Sequence, residues 1–100
     1  VQTLDQLHEI VLHGQQAGRI CVVKFFAPWC RSCLQIKPLY EKVAKRESGE
    51  LAYFYEVDAG AARVLCALAN VAKLPVVHIY SGGKLVDRMP IHTKELIKEF

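Results

Sequence analysis

Trp29-Cys30-Arg31-Ser32-Cys33 stands between an apolar run, Ile20 to Ala27, and a helical pattern, Leu34 to Arg46. Two thiols separated by two residues in the first turn of a helix can close into a small disulfide ring and reopen. Cys30 falls at or just before the helix start, where unpaired backbone N–H groups and the positive end of the helix dipole favour a thiolate. The neighbouring Arg31 favours the same anion. The thiolate is the form that attacks disulfides. A C-x-x-C placed after a strand in a β-α-β pattern points to dithiol–disulfide chemistry.

Working outward, Ile20 to Phe26 is a β-branched and aromatic run of strand length, apolar enough to predict burial on both faces, as in a central parallel strand. Upstream, Thr3-Leu4-Asp5-Gln6 is a capping-box pattern. Leu4, Leu7, Val11 and Leu12 then recur at helical spacing, and Gly14 and Gly18 bracket the stop. Val1-Gln2 reads as the tail of a short edge strand. Downstream, the helix from about Cys30 carries Leu34, Ile36, Leu39, Tyr40 and Val43, is interrupted and kinked by Pro38, and ends at Ser48-Gly49. Leu51 to Val57 reads as a strand closed by Asp58. Ala61 to Asn70 reads as a helix with Leu65, Leu68 and Ala69 inward and Asn70 as its C-cap. Val76 to Tyr80 and Lys84 to Met89 form a hairpin across Ser81-Gly82-Gly83, and Thr93 to Phe100 reads as a closing helix. The order β-α-β-α-β-α-β-β-α predicts an α/β fold. Its mixed central sheet has a parallel βαβ half and an antiparallel hairpin half, flanked by helices. The C-x-x-C lies at the carboxyl end of a central strand, where ligands bind in open α/β sheets.

One hundred residues make one domain, with enough chain for a real core. Hydrophobic residues at 52% and charged ones at 23% describe an ordinary globular chain rather than a disordered one. A net charge of +3 without a charge block calls for neither nucleic acid nor a membrane surface, and no run approaches the ~18 apolar residues of a span. Cys21 and Cys66 sit inside apolar segments, where buried inert thiols are the default. That usage favours a reducing intracellular compartment. The chain begins at Val1 rather than Met, so the expectation is a single domain, 1–100, cut from a longer polypeptide, with any targeting segment outside it.

Phe26-Ala27-Pro28-Trp29-Cys30-Arg31-Ser32-Cys33, Ile36-Lys37-Pro38, Glu56-Val57-Asp58, Leu74-Pro75 and Gly82-Gly83-Lys84 together resemble the thioredoxin family over nearly the whole chain. The resemblance implies the thioredoxin fold, with Cys30 as the attacking cysteine and Cys33 as the resolving one. Pro75 is then a cis-proline facing the disulfide, Trp29 an aromatic lid and Pro38 the kink of the active-site helix. A second resemblance is to the atypical Cys/His-rich thioredoxins of plastids, on the C-x-S-C motif, four His and Leu65 to Val71 ahead of Leu74-Pro75. It implies the plastid stroma, with the cytosol as the alternative.

Three departures stand out. Arg31-Ser32 replaces the usual Gly-Pro, Lys24 replaces the family's buried acid, and Pro90 stands where the family commonly has a glycine of the substrate groove. Ser32 lacks proline's fixed φ and Arg31 stabilises a thiolate, so the couple is expected to be less reducing than that of a Gly-Pro thioredoxin. Glu56 falls on the strand next to Lys24, and the two are expected to pair beneath Cys33, with Lys24 acting on that thiol as a cation or a base. The bland alternative has Lys24 snorkelling its ammonium to water. For Cys30 and Cys33 the alternative is half of a zinc site, against which no second Cys/His pair has ligand spacing. His8, His13 and His92 read as solvated helix residues and His78 as a satisfied core histidine. No metal or cofactor is called for.

The expectation is a thiol–disulfide oxidoreductase acting on disulfide-containing target proteins through Cys30 and Cys33, with Trp29, Leu74 and Pro75 binding substrate. Reducing equivalents come from an external reductase or small thiol. The alternatives are an oxidant or isomerase of the same fold, or a non-catalytic redox-sensing module.

Overall fold

In a computed structural model the chain is described over residues 1–47 and 52–90. The first helix, α1 (Leu4–Ala17), starts as its sequence predicts. The Thr3 hydroxyl accepts the Gln6 N–H at 3.1 Å, and Gln6 Oε1 accepts the Thr3 N–H at 3.3 Å. The same oxygen takes the Gln2 N–H at 2.7 Å. Val1 and Gln2 are therefore part of the cap and lie in no strand, which corrects the edge-strand expectation. The helix runs through Gly14, packed against the next strand, and stops at Gly18 in the left-handed region, φ 67°.

Four described strands follow: β1 (Ile20–Phe26), β2 (Ala52–Asp58), β3 (Val76–Ser81) and β4 (Lys84–Pro90). They lie in the order β2-β1-β3-β4. β1 pairs parallel to β2 and antiparallel to β3, and β3 pairs antiparallel to β4, so the sheet is mixed with β1 in the interior. Between them are α2 (Arg31–Glu47) and α3 (Arg63–Leu68). Gly82 and Gly83, both at positive φ, make the tight turn of the hairpin.

The two-residue period of β1 divides the core. Cys21, Val23 and Phe25 pack with Leu7 and Val11 of α1 and Leu65 and Cys66 of α3, while Val22 packs with Ile36 and Tyr40 of α2 and with Val77. Residues 21–25 are all buried, as a central strand requires. On α2 the buried positions are Cys33, Ile36, Tyr40 and Val43, one stripe at helical spacing, so Leu34 points away and is exposed. α2 continues through Pro38, which is exposed; its missing N–H leaves only the carbonyl of Leu34, on the solvent side, without its helical donor.

α3 is shorter than expected, six residues rather than the run Ala61 to Asn70. Asn70 at φ 57° ends it: the Val71 N–H bonds the Cys66 carbonyl at 2.9 Å and the Asn70 N–H the Ala67 carbonyl at 3.2 Å. So short a helix buries one face only, and Leu68, expected inward, is exposed, as is Leu12 on α1. The expected helix Thr93 to Phe100, the Ser48-Gly49 break, Leu51 and His92 lie outside the described residues.

His78 is buried beside Phe25, ring centroids 4.7 Å apart, but its Nδ1 has no hydrogen-bond partner among the described residues, so it is a core histidine that is not satisfied. Burial, and then the nearby Arg88 charge, hold its pKa below the ordinary 6.5. The unfolded chain therefore binds the proton first. Stability is full above about pH 6.5 and falls as pH drops through the window down to the folded value. Urea titrations between pH 7.5 and 5 should show this loss in the wild type and a smaller one in His78→Gln. Equal losses would assign the acid sensitivity elsewhere. His8 and His13 are exposed on α1, and His13 stacks on Tyr53 at 5.0 Å.

Candidate active site

β1 ends at Phe26 and the chain turns, the Cys30 N–H bonding the Ala27 carbonyl at 3.1 Å. The Phe26 carbonyl accepts the Ala59 N–H at 2.7 Å, which ties this loop to the one after β2. Cys30 then acts as the cap of α2: its carbonyl accepts the Leu34 N–H and its Sγ accepts the Cys33 N–H at 3.2 Å. Sulfur thus takes the place of the usual capping oxygen. An N–H aimed at Sγ, with the helix dipole behind it, favours negative charge there once the pair is reduced.

Cys30 and Cys33 are joined as a disulfide, their Cα atoms 5.2 Å apart. Cys30 is half-buried; Cys33, heading the buried stripe of α2, is 3% exposed. Trp29 is 70% exposed and lies over Gly60, where an added Cβ would come within 2.7 Å of the indole. The Asp58 carboxylate holds that loop by accepting the Gly60 N–H at 2.8 Å. Arg31 is exposed. The Leu74–Pro75 bond is cis, as expected, and Pro75 is buried. Because Val76 pairs with Phe25, Pro75 stands beside the end of β1 from which the chain runs to Cys30.

Lys24 is on the α2 face of β1, between Val22 and Phe26, and lies directly opposite Glu56 in the parallel register. Its ammonium meets the Glu56 carboxylate at 2.8 Å; Lys24 is 2% exposed and Glu56 38%. The ammonium also lies 4.5 Å from the Tyr40 ring centre and 5.4 Å from that of Phe26. Lys24 does not snorkel to water. A cavity of about 270 Å³ is lined by Lys24, Glu56, Phe26, Lys37 and, of the two bonded cysteines, Cys33.

Tyr40 and Gly60 are the positions that sequence reasoning did not place in the site. The Tyr40 hydroxyl donates toward the Tyr55 carbonyl at 2.9 Å and also lies 3.4 Å from that of Val22, and burial keeps it a neutral phenol. Its spacing of seven from Cys33 on the helix was the available signal. Burial pushes the Cys21 thiol up to about 11 and raises that of Cys66, so both buried thiols are inert at neutral pH. Among the described residues no cluster of three or more His, Cys, Asp or Glu could hold a metal, and no helix is long and apolar enough to cross a membrane.

A dithiol at a helix start, beyond the carboxyl end of an interior strand and beside a cis-proline, defines a thioredoxin-fold dithiol–disulfide oxidoreductase domain. The thioredoxin family model matches residues 2–100, and the chain belongs to that family. It is 38% identical over 71 residues to Thioredoxin-2 of Saccharomyces cerevisiae, covering 71% of this chain and 66% of that one. It is 26% identical to Thioredoxin-like 3-1, chloroplastic, of Arabidopsis thaliana, over 89% of this chain but only 42% of the relative. Among solved structures, Fasciola hepatica thioredoxin superposes with a TM-score of 0.83 at 29% identity, covering 95% of this chain and 88% of that one.

Proposed function

We propose that this domain reduces disulfides in other proteins, with Cys30 attacking and Cys33 resolving. The carrying observation is the unequal setting of the two sulfurs: Cys30 at the helix start with an N–H aimed at Sγ, Cys33 buried behind it. The Cys30 thiolate attacks a target disulfide and forms a mixed disulfide. Cys33 gives up its proton, attacks Cys30 and releases the target as a thiol, so two electrons pass from the dithiol to the target. Arg31 favours the Cys30 anion. Trp29, Leu74 and Pro75 form the docking surface. Lys24 and Glu56 support the second exchange from beneath, with Glu56, open to water, as the way out for the proton. No bound cofactor enters the cycle; an external reductase or a small thiol returns the electrons. The domain acts in a reducing compartment. The chloroplast relative favours the plastid stroma over the cytosol.

Dithiothreitol-driven reduction of insulin tests the reading: turnover is expected, whereas a sensing module would turn over poorly. The potential of the couple, expected above the about −270 mV of thioredoxin, should for a reductase still lie below the about −180 mV of an isomerase. After reduction, alkylation at neutral pH should label Cys30 well before Cys33, Cys21 or Cys66. Equal labelling of all four thiols would sink the assignment of the nucleophile.

A further inference from the structure

The cavity beneath the dithiol holds its charges in one order. The ammonium of Lys24 is inside, caged by the Tyr40 and Phe26 rings, and the carboxylate of Glu56 is at the rim with access to water. Cys33 lines the same cavity. The other titratable group lining it is Lys37, exposed on α2; the neutral Tyr40 phenol does not line it but carries the ring against the Lys24 ammonium, Arg31 stands outside at the helix start, and β3 presents the apolar Val77 to this layer. A cation near a thiol favours its thiolate, and a low-dielectric wall of aromatic rings strengthens the effect. The carboxylate opposes it less, being partly screened by water.

We infer that the Lys24–Glu56 pair works by its orientation: the inward ammonium stabilises the Cys33 thiolate, keeping the resolving step open at mildly acidic pH and making the couple more oxidising. The inference rests on the proposed roles of Cys30 and Cys33. In the step concerned, the Cys33 proton leaves through Glu56 to water, the Cys33 sulfur bonds Cys30, and the Cys30–target bond breaks to release the target thiolate. A thiolate stabilised in the dithiol form shifts the equilibrium toward that form and so raises the potential. The pair is thus a positioning device for the resolving thiol, distinct from a mere filler of the space under α2.

Exchanging the charges separates orientation from pairing. In the double variant Lys24→Glu/Glu56→Lys an ion pair can re-form, but the carboxylate now lies inside. A purely structural pair would leave the chemistry of this variant unchanged. Orientation predicts that the Cys33 midpoint, read by carbon-13 NMR of labelled cysteine in the reduced full chain, rises by about one unit or more. Release of a fluorescent target from its mixed disulfide should slow about tenfold at pH 6 and little at pH 9. The equilibrium with dithiothreitol, read above the midpoint at about pH 9, should shift up to about tenfold toward the disulfide, which corresponds to about 30 mV more reducing. Lys24→Met, whose side chain can occupy the same aromatic cage while Glu56 turns to water, should move all three readouts the same way and serves if the double variant does not fold. An unchanged Cys33 midpoint and unchanged equilibrium in a folded variant would overturn the inference. A wild-type domain that titrates as described yet fails to turn over insulin would instead refute the reductase reading, since the titration and the equilibrium need no turnover.

Discussion

Cys33→Ser is expected to convert the domain from a turnover reductase into a stoichiometric trap. Cys30 keeps its half-buried place at the start of α2, and the backbone donor at residue 33 still points at its sulfur. It therefore still attacks a target and forms the mixed disulfide. What is lost is a sulfur held within bonding reach by a three-residue helical turn. Well-oriented intramolecular groups act at effective concentrations on the order of 10⁵ M or more. A millimolar external thiol cannot match that, and dithiothreitol-driven turnover should fall by roughly 10³-fold or more. Target proteins should accumulate as disulfide-linked adducts on non-reducing gels, released by excess thiol. Cys30→Ser should abolish both turnover and adducts. If Cys30→Ser trapped targets while Cys33→Ser turned over, the two roles would have to be exchanged.

Glu56→Ala is expected to be the most destabilising single change in the site outside the apolar core, costing about 3 kcal/mol in denaturant titrations. Lys24 is buried and its only carboxylate partner among the described residues is Glu56. Removing that partner leaves an ammonium with two aromatic faces and no counter-charge. The value belongs at the low end of the range for broken buried pairs, because Glu56 is partly exposed and water can enter where its side chain was. Lys24→Met should cost less, since the carboxylate it leaves behind can turn to solvent. A deficit below about 1 kcal/mol would mean that the pair is worth no more than a surface salt bridge.

Much of this site is legible in the sequence because it follows from periodicity. The alternation of β1 puts Lys24 on the same face as Val22 and Phe26, and the matching alternation of β2 puts Glu56 beside it. The pairing and its burial therefore follow from two strands and a parallel register. The stripe Cys33, Ile36, Tyr40, Val43 likewise makes Cys33 the buried thiol of the two. The failures have equally local causes. Gln6 is visible as a capping residue, but its side-chain oxygen also captures the Gln2 N–H, which ties Gln2 into the cap of α1 rather than into a strand. Leu68 looked inward in a ten-residue helix; in one that Asn70 closes at six residues it faces water. His78 was placed in the core without its missing partner, because an unmet hydrogen bond belongs to three-dimensional surroundings rather than to spacing. The seat of Trp29 on Gly60 joins two loops distant in the chain, which no pattern along one segment could reveal.

The Tyr40 hydroxyl, placed against carbonyls of both β1 and β2, works as a rivet through two plates and the beam above them. With Ile36 and Val43 wedged on either side of it, the body of α2 has no room to slide along the sheet when the sulfurs change state. Opening the disulfide is then expected to alter the helix chiefly at its leading edge, around Cys30 and Arg31, ahead of the rivet. A protein that distinguishes the two redox states of this domain is then expected to read the sulfurs and the Trp29 rim directly. That anatomy suits an enzyme which exchanges electrons on contact, and it gives a signalling module that broadcasts its state by changing shape very little to work with.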